Sequence, residues 1–363
     1  MSILLDDEQQ AIASESRKIL EARTSADEQL ALLEQDGSYD TRYWETAQEQ
    51  GWTAITIPES AGGLGLGLIE LGQVAAAIGA SGAGAPFVTS GFGAADAIAR
   101  HGNPEQQARW LPALADGSAI GAIAFAQGQS PLPTSPSVIF AGGALTGVKS
   151  AVSGGLHADV AIVLASEAGQ LVLTLVDMTG VTRTRIESFD NSRCAANLHF
   201  DATPATRLTA DDARAAALAI LARQSIVTAH EQLGGAEAMM LRARDYAITR
   251  KAFGQFIGAF QSVKHRIAEL YGLVEIARAN ALHAAANADG PDLVKWAAAA
   301  RLSATEAYDT AARDCVQVHG GIGVTWAAGI HLHLRRTRTL AIEQGNMIFW
   351  EDVLVHELAG DAA

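Results

Sequence analysis

Two stretches carry residue types at spacings that could grip a phosphorylated ligand. The first runs Arg250-Lys251-Ala252-Phe253-Gly254-Gln255-Phe256-Ile257-Gly258-Ala259-Phe260-Gln261, and the second Gln317-Val318-His319-Gly320-Gly321-Ile322-Gly323. Arg250 offers a planar fork of donors for a diphosphate, Phe253 an apolar face for a flat ring, and the glycines allow close backbone approach. Taken singly, either stretch also fits a helix end with an exposed basic residue and a glycine cap. Their joint presence asks for elements that hold them side by side.

The chain has 363 residues, enough for a large core and two or three domains. Alanine-rich runs such as 215–222 and 297–300 predict much helix. Helical patterns cover Asp6 to Leu32, Arg42 to Gln50, Leu68 to Ile78, Gly91 to His101 and Pro104 to Leu114. Between them Gly51 to Gly67 is glycine-rich; it lacks the Lys-Ser/Thr of a P-loop and the register of a dinucleotide fingerprint, so it reads as a tight inter-helix loop. From Ile120 to about Phe200, short apolar runs punctuated by Gly, Pro and Asp predict a small β domain. Helical periodicity returns over Asp211 to Thr249, onward from Val263, over Leu293 to Gln317 and over Ile330 to Ile342, which implies an antiparallel four-helix bundle. The expected fold is therefore mainly α with a central β domain, divided as an N-terminal helical domain over 1–117, a β domain over 118–208 and a four-helix bundle over 209–363.

A formal net charge of -14 and the lack of basic patches argue against nucleic-acid or anionic-membrane binding. Cys194 and Cys315 have no metal-ligand spacing and read as free thiols in a reducing compartment. The start shows no basic-then-apolar secretion pattern, and no stretch is long and apolar enough to span a bilayer, so a cytoplasmic protein is expected.

Ordered motifs along the whole chain resemble the acyl-CoA dehydrogenases: Trp44, Gly51-Trp52, Pro58-Glu59, Gly62-Gly63-Leu64-Gly65, Gly102-Asn103-Pro104-Glu105, Arg109-Trp110-Leu111-Pro112, then Tyr246, Arg250, Phe253-Gly254, Ile257-Gly258, Phe260-Gln261, Gln317, Gly320-Gly321 and Gly323. The resemblance implies a tetramer, FAD bound across a dimer interface, an acyl-CoA substrate and an electron-transfer acceptor. It carries FAD-binding roles onto Arg250, Ala252, Phe253, Ile257, Phe260, Gln261, Gln317, Val318, Gly320, Gly321 and Asn346, with no metal.

The chain departs from that pattern where the reaction needs a base. The family's proton-abstracting Glu falls at Gln344, ahead of Gly345, and the alternative helix position, 26 residues before Arg250, falls at Gln224. An amide has no basic state for burial to tune. Glu343 lies one residue away, which on a helix turns a side chain by roughly 100°. The family's flavin-contacting loop aligns with Ala124 to Pro131, and its Trp-x-Thr element with Ala151-Val152-Ser153; in both only the position survives. Three readings stand: one subunit of a hetero-oligomer of the kind that handles steroid side-chain thioesters, with a paralogous partner supplying the Glu; a self-sufficient homo-oligomeric enzyme using Glu343; and a flavin-free scaffold or acyl-CoA-binding relative. His319 reads as a packed or backbone-bonded imidazole, Cys315 as core, and His331, His333, Arg335, Arg336 and Arg338 as a solvated basic face.

Overall fold

The computed structural model describes residues 4–33, 35, 39–86 and 92–360. In chain order its first helices are α1 (Asp7–Arg23), α2 (Ala26–Leu33), α3 (Thr41–Glu49), α4 (Leu68–Ser81), α5 (Ala94–His101) and α6 (Pro104–Ala115). A sheet follows, with β1 (Gly121–Ala124), β2 (Ile139–Ala141), β3 (Ala144–Val152), β4 (Val160–Glu167), β5 (Gln170–Asp177), β6 (Thr182–Arg185), β7 (Ala196–Pro204) and β8 (Thr206–Arg207). Then come α7 (Ala213–Thr249), the hairpin strands β9 (Lys251–Ala252) and β10 (Gln255–Phe256), α8 (Gln261–Ala286), α9 (Leu293–His319), α10 (Ile330–Leu340) and α11 (Met347–Ala359). Helices, strands and helices again is the expected succession.

Two boundaries differ from expectation. The helix expected over Asp6 to Leu32 is two helices, because Thr24 is extended at the C-cap of α1 and Ser25 starts the next cap, its backbone N–H bonding Glu28. The fourth helix of the expected bundle is short, 11 residues in α10, and α11 follows it with its own N-cap at Asn346. Gly91, the expected start of the helix preceding His101, lies outside the described residues.

The chain forms two compact units. One joins residues 1–31, 68–83 and 225–363, and the other residues 32–67 and 84–224. In the second, the sheet order is β6-β7-β3-β2-β4-β5-β8, with β1 pairing β4 in parallel. β4 has buried residues from Val160 to Ala165, which accounts for its unbroken apolar run. Lys149 projects from β3 into this interior, where its Nζ donates to Phe125 O at 2.8 Å and burial lowers its pKa to about 8.

In the first unit α4 and the C-terminal part of α7 approach until backbones touch. A Cβ on Gly79 would lie 1.8 Å from Glu231 O, and one on Gly234 would lie 1.8 Å from Ala76 O. Only glycine fits there. The alanine-rich α9 buries Ala297, Ala298, Ala300, Ala304, Ala307, Ala311 and Ala312, so small side chains let the helices pack closely.

This unit also carries a layer of buried polar side chains. Arg336 donates to Glu231 Oε1 and Ala83 O, each at 2.9 Å. Arg301 donates to Gln232, Thr305, Leu340 O and Glu343 O, and burial lowers its pKa to about 10 against the pull of Glu343 and Glu231. Tyr308 OH and His333 Nδ1 are hydrogen-bonded at 2.8 Å. His333 and Arg336 are therefore core residues, correcting the reading of this cluster as a solvated face; His331 and Arg335 are half-buried, and Arg338 is exposed and pairs with Asp309.

Candidate functional site

The site lies in the first unit, where α7, α8 and α9 end or begin. Arg250 N still bonds Tyr246 O at 2.8 Å, so the guanidinium leaves the last turn of α7 at a fixed place. The chain then turns back as a hairpin, with Gln255 opposite Ala252 and Phe256 opposite Lys251. Phe253 and Gly254 at its tip have φ of 52° and 82°. Positive φ at both central residues is the turn geometry that follows strand twist, and it holds an aromatic residue in a region costing about 1 kcal/mol. The ring of Phe253 is 96% exposed and meets Phe260 edge-on. Nothing in this unit's packing requires an aromatic residue there.

Ile257 N closes the hairpin onto Arg250 O at 2.9 Å, and Gly258 lets it lie against Ala247, whose carbonyl would be 3.0 Å from an added Cβ. Phe260 then occupies the N-cap position of α8 without offering a side-chain hydrogen bond. The positive end of a 26-residue helix is thus left open beside Arg250 and Lys251.

The second segment begins where α9 stops. Gly320 has φ 62° and ψ -139°, a conformation that in practice only glycine adopts. A Cβ on Gly320 or Gly321 would meet nothing within 4 Å, so both backbones face open space, whereas one on Gly323 would lie 2.7 Å from Val316 O. Gln317 is exposed, but Val318 is buried and its side chain belongs to the core.

A ring stack joins the two segments. Tyr246 lies on His319 with centroids 4.1 Å apart and planes 20° from parallel. The imidazole Nδ1 bonds Cys315 O at 2.7 Å, and burial lowers the pKa of His319, so it is a packed, backbone-bonded ring as its setting suggested. Cys315 and Cys194 are both free and buried, and burial pushes each thiol up to about 11. Of the remaining expected contacts, Ala252, Ile257 and Phe260 are half-buried along the hairpin and Gln261 is exposed at the start of α8. Asn346 is exposed, and its side-chain oxygen already accepts from Phe349 N at 3.0 Å as the cap of α11.

No carboxylate stands in the expected base positions. Gln344 takes a left-handed φ of 55° in the turn after α10, and its Oε1 accepts from Thr228 Oγ1 at 2.9 Å. Glu343 is held by its carbonyl to Arg301 at 2.9 Å. Gln224, in the other unit, is buried against the backbone of Gly93, where an added Cβ would be 2.6 Å from its Nε2. Glu231 is an acid that periodicity did not single out; it is 1% exposed and paired with Arg336 in the core. Among the described residues no cluster of His, Cys, Asp and Glu could hold a metal ion, and no helix is long and apolar enough to cross a membrane.

The aligned β-domain segments lie in the second unit. Phe125 is buried and anchored by Lys149, Gln127 and Ser130 form an isolated bridge, and Ala151 has φ 54° with its N–H on Asn197 Oδ1 at 3.0 Å. These loops are ordered by their own hydrogen bonds, not by the aromatic and acidic residues expected from the resemblance.

Residues 6–118 match the acyl-CoA dehydrogenase N-terminal domain and residues 214–347 the acyl-CoA dehydrogenase C-terminal domain. The chain belongs to the acyl-CoA dehydrogenase family. It is 33% identical to the acyl-CoA dehydrogenase IpdE2 of Mycobacterium tuberculosis over 311 residues, covering 84% of this chain and 83% of that one. Among solved structures it is similar to the Tcur3481-Tcur3483 steroid ACAD, with TM-score 0.89, 27% identity and coverage of 98% and 99%. It is equally similar to the ChsE4-ChsE5 complex of Mycobacterium tuberculosis, with TM-score 0.89, 26% identity and full coverage of both chains. Butyryl-CoA dehydrogenase of Megasphaera elsdenii, at 21% identity and TM-score 0.88, shares the fold. As an acyl-CoA dehydrogenase, the chain is of an oxidoreductase family acting on carbon–carbon single bonds, mainly helical with a central sheet domain.

Proposed function

We propose that this chain is one subunit of an FAD-dependent acyl-CoA dehydrogenase, gripping the ADP end of FAD at a subunit boundary while a paralogous chain supplies the catalytic Glu. The observation that carries this reading is the pairing of a well-formed anion clamp with amides at both base positions. Arg250, Gln261, Gln317, Gly320 and Gly321 would hold the diphosphate and ribose, and Phe253, Phe260 and Ile257 would border the adenine. Their chemistry fits: a guanidinium with no partner among the described residues, open backbone at two glycines, and an uncapped helix start. Bound FAD would supply a hydride acceptor for the β carbon of an acyl-CoA.

The surroundings suit a second chain. Ile248, Phe253, Ile322 and Val324 are 59%, 96%, 50% and 75% exposed on the two clamp segments, an unusual amount of apolar surface for solvent. Solved relatives named for two chains, Tcur3481-Tcur3483 and ChsE4-ChsE5, favour a heterotetramer of two copies each over a homo-oligomer, and the word steroid in the first favours a bulky side-chain thioester. The three-domain division, 1–117, 118–208 and 209–363, completes the reading, as does transfer of electrons to a separate acceptor.

The self-sufficient alternative requires Glu343 to reach the place of Gln344. The tie of its carbonyl to Arg301 weighs against that. Visible spectra decide between them. Co-expression with a paralogous chain bearing the missing Glu should give a yellow complex that oxidises an acyl-CoA, and the chain purified alone should be inactive. A yellow, active homo-oligomer whose activity is lost in Glu343→Gln would overturn the division of labour, and colourless protein in every combination would leave a flavin-free scaffold.

A further inference from the structure

Helix α11 is apolar on two sides. It packs on α9, and Trp350 on its inner side is fully buried. On its outer side Ile348, Val355 and Leu358 are 67%, 63% and 68% exposed. At about 100° per residue, Ile348 and Val355 fall on one line along the helix, with Trp350 about 150° away from it. A surface helix gives its second face to polar residues, and one that is apolar on both faces is covered on both.

The acids on this face indicate what covers it. Glu351 and Asp352 flank the line of Ile348 and Val355 at about 50° on either side. Both are exposed, and neither has an ion pair or hydrogen bond among the described residues. From Thr339 onward the sequence contains no Lys or Arg, so the segment supplies them no permanent counter-charge. A second copy laying its own α11 here would set acids against acids. Another exposed apolar helix face of this chain, Tyr271 and Ile276 on α8, is no better matched, since Glu269 and Glu275 stand exposed beside them. Like charges brought together at a contact disfavour it, whereas Lys or Arg at the edges of an apolar stripe would complement Glu351 and Asp352.

We infer that the outer face of α11 receives the paralogous partner chain, through a partner helix whose apolar stripe is edged by Lys or Arg, and that Glu351 and Asp352 favour that partner over a second copy of this chain. The inference rests on the two-chain reading above and deepens it. A heterotetramer of two copies each needs a further contact surface on this chain besides the clamp, and α11 offers one.

The test uses the full chain co-expressed with the paralogous chain that carries Glu at the position of Gln344, with the size and dissociation of the complex followed by mass photometry. Glu351→Lys combined with Asp352→Lys should weaken the complex roughly tenfold at low salt, and the gap to wild type should narrow near 1 M salt, where the Debye length is about 3 Å. Val355→Asp, which places a charge in the stripe, should weaken it at every salt concentration. All three positions are exposed, so helix content by circular dichroism should not change. Wild-type affinity in either variant overturns the inference while the two-chain reading stands. A wild-type chain that alone forms an oligomer of the same size, dissolved by Val355→Asp, gives the face to a second copy and overturns it as well. A colourless complex that both variants disrupt keeps the inference and overturns the flavin reading. No complex with the wild-type chain overturns both.

Discussion

The ring of Tyr246 stacks on the imidazole of His319 at 4.1 Å, joining the last turns of α7, which lead to Arg250, to the end of α9, which bears Gln317. Such a pair contributes about 0.5–1.5 kcal/mol beyond burial. Tyr246→Ala should lower FAD affinity of the assembly roughly 3–10-fold with helix content unchanged, measured by flavin fluorescence titration and circular dichroism. Unchanged affinity would mean the two segments hold their places without the stack.

Arg250 is exposed and anchored through its backbone, so its side chain is free for a ligand. Arg250→Ala should leave unfolding stability within about 0.5 kcal/mol, as for other surface substitutions. Loss of a charge-assisted bond to phosphate should weaken FAD roughly 10–100-fold. Arg250→Lys should recover part of this, because a point charge replaces the planar fork. A variant that is destabilised but retains flavin would place Arg250 in the architecture and not in the clamp.

Glu231 and Arg336 are a buried ion pair, their side chains 2% and 5% exposed. Glu231→Gln leaves the guanidinium charge in the interior without its counter-charge, and should destabilise the first unit by about 3–5 kcal/mol in urea unfolding. The flavin titration of any folded fraction should be unaltered. Wild-type stability in this variant would show that Gly82 and Ala83 carbonyls suffice for Arg336.

Burial holds His230 at a pKa of about 4 and His333 at about 3, against an ordinary value of 6.5. Both stay neutral in the folded chain while the unfolded chain takes up protons below pH 6.5, so their contribution is complete above that pH and is lost as pH falls. Stability should drop between pH 7 and 5 by about 2 kcal/mol for each histidine. His333→Asn, which keeps an acceptor for Tyr308, should remove about half of that slope in urea melts at each pH. A slope identical to wild type would mean that His333 is not the neutral buried group described.

Much was legible beforehand because it depends on local chemistry. Helical spacing and glycine placement located α4, α6, α7, α8 and α9 to within a few residues, and the apolar runs at 161–165 and 171–176 became β4 and β5. Arg250 and Gln317 were visible as donors from residue type alone. The break at Thr24 and the extra helix α11 were not, since both depend on caps whose side chains serve equally well in a loop.

The amino-acid sequence by itself determined the family, the succession of helices and strands, and the absence of a Glu at the two expected base positions. Composition and spacing suffice for these because each is a property of one residue or one short window. Tertiary structure alone decided that Tyr246 meets His319, that His333 and Arg336 are core, that Arg301 secures the turn bearing Glu343, and that Thr228 orients Gln344. Those facts join residues tens to hundreds of positions apart, and such pairings arise only when helices pack closely enough for buried polar groups to require partners.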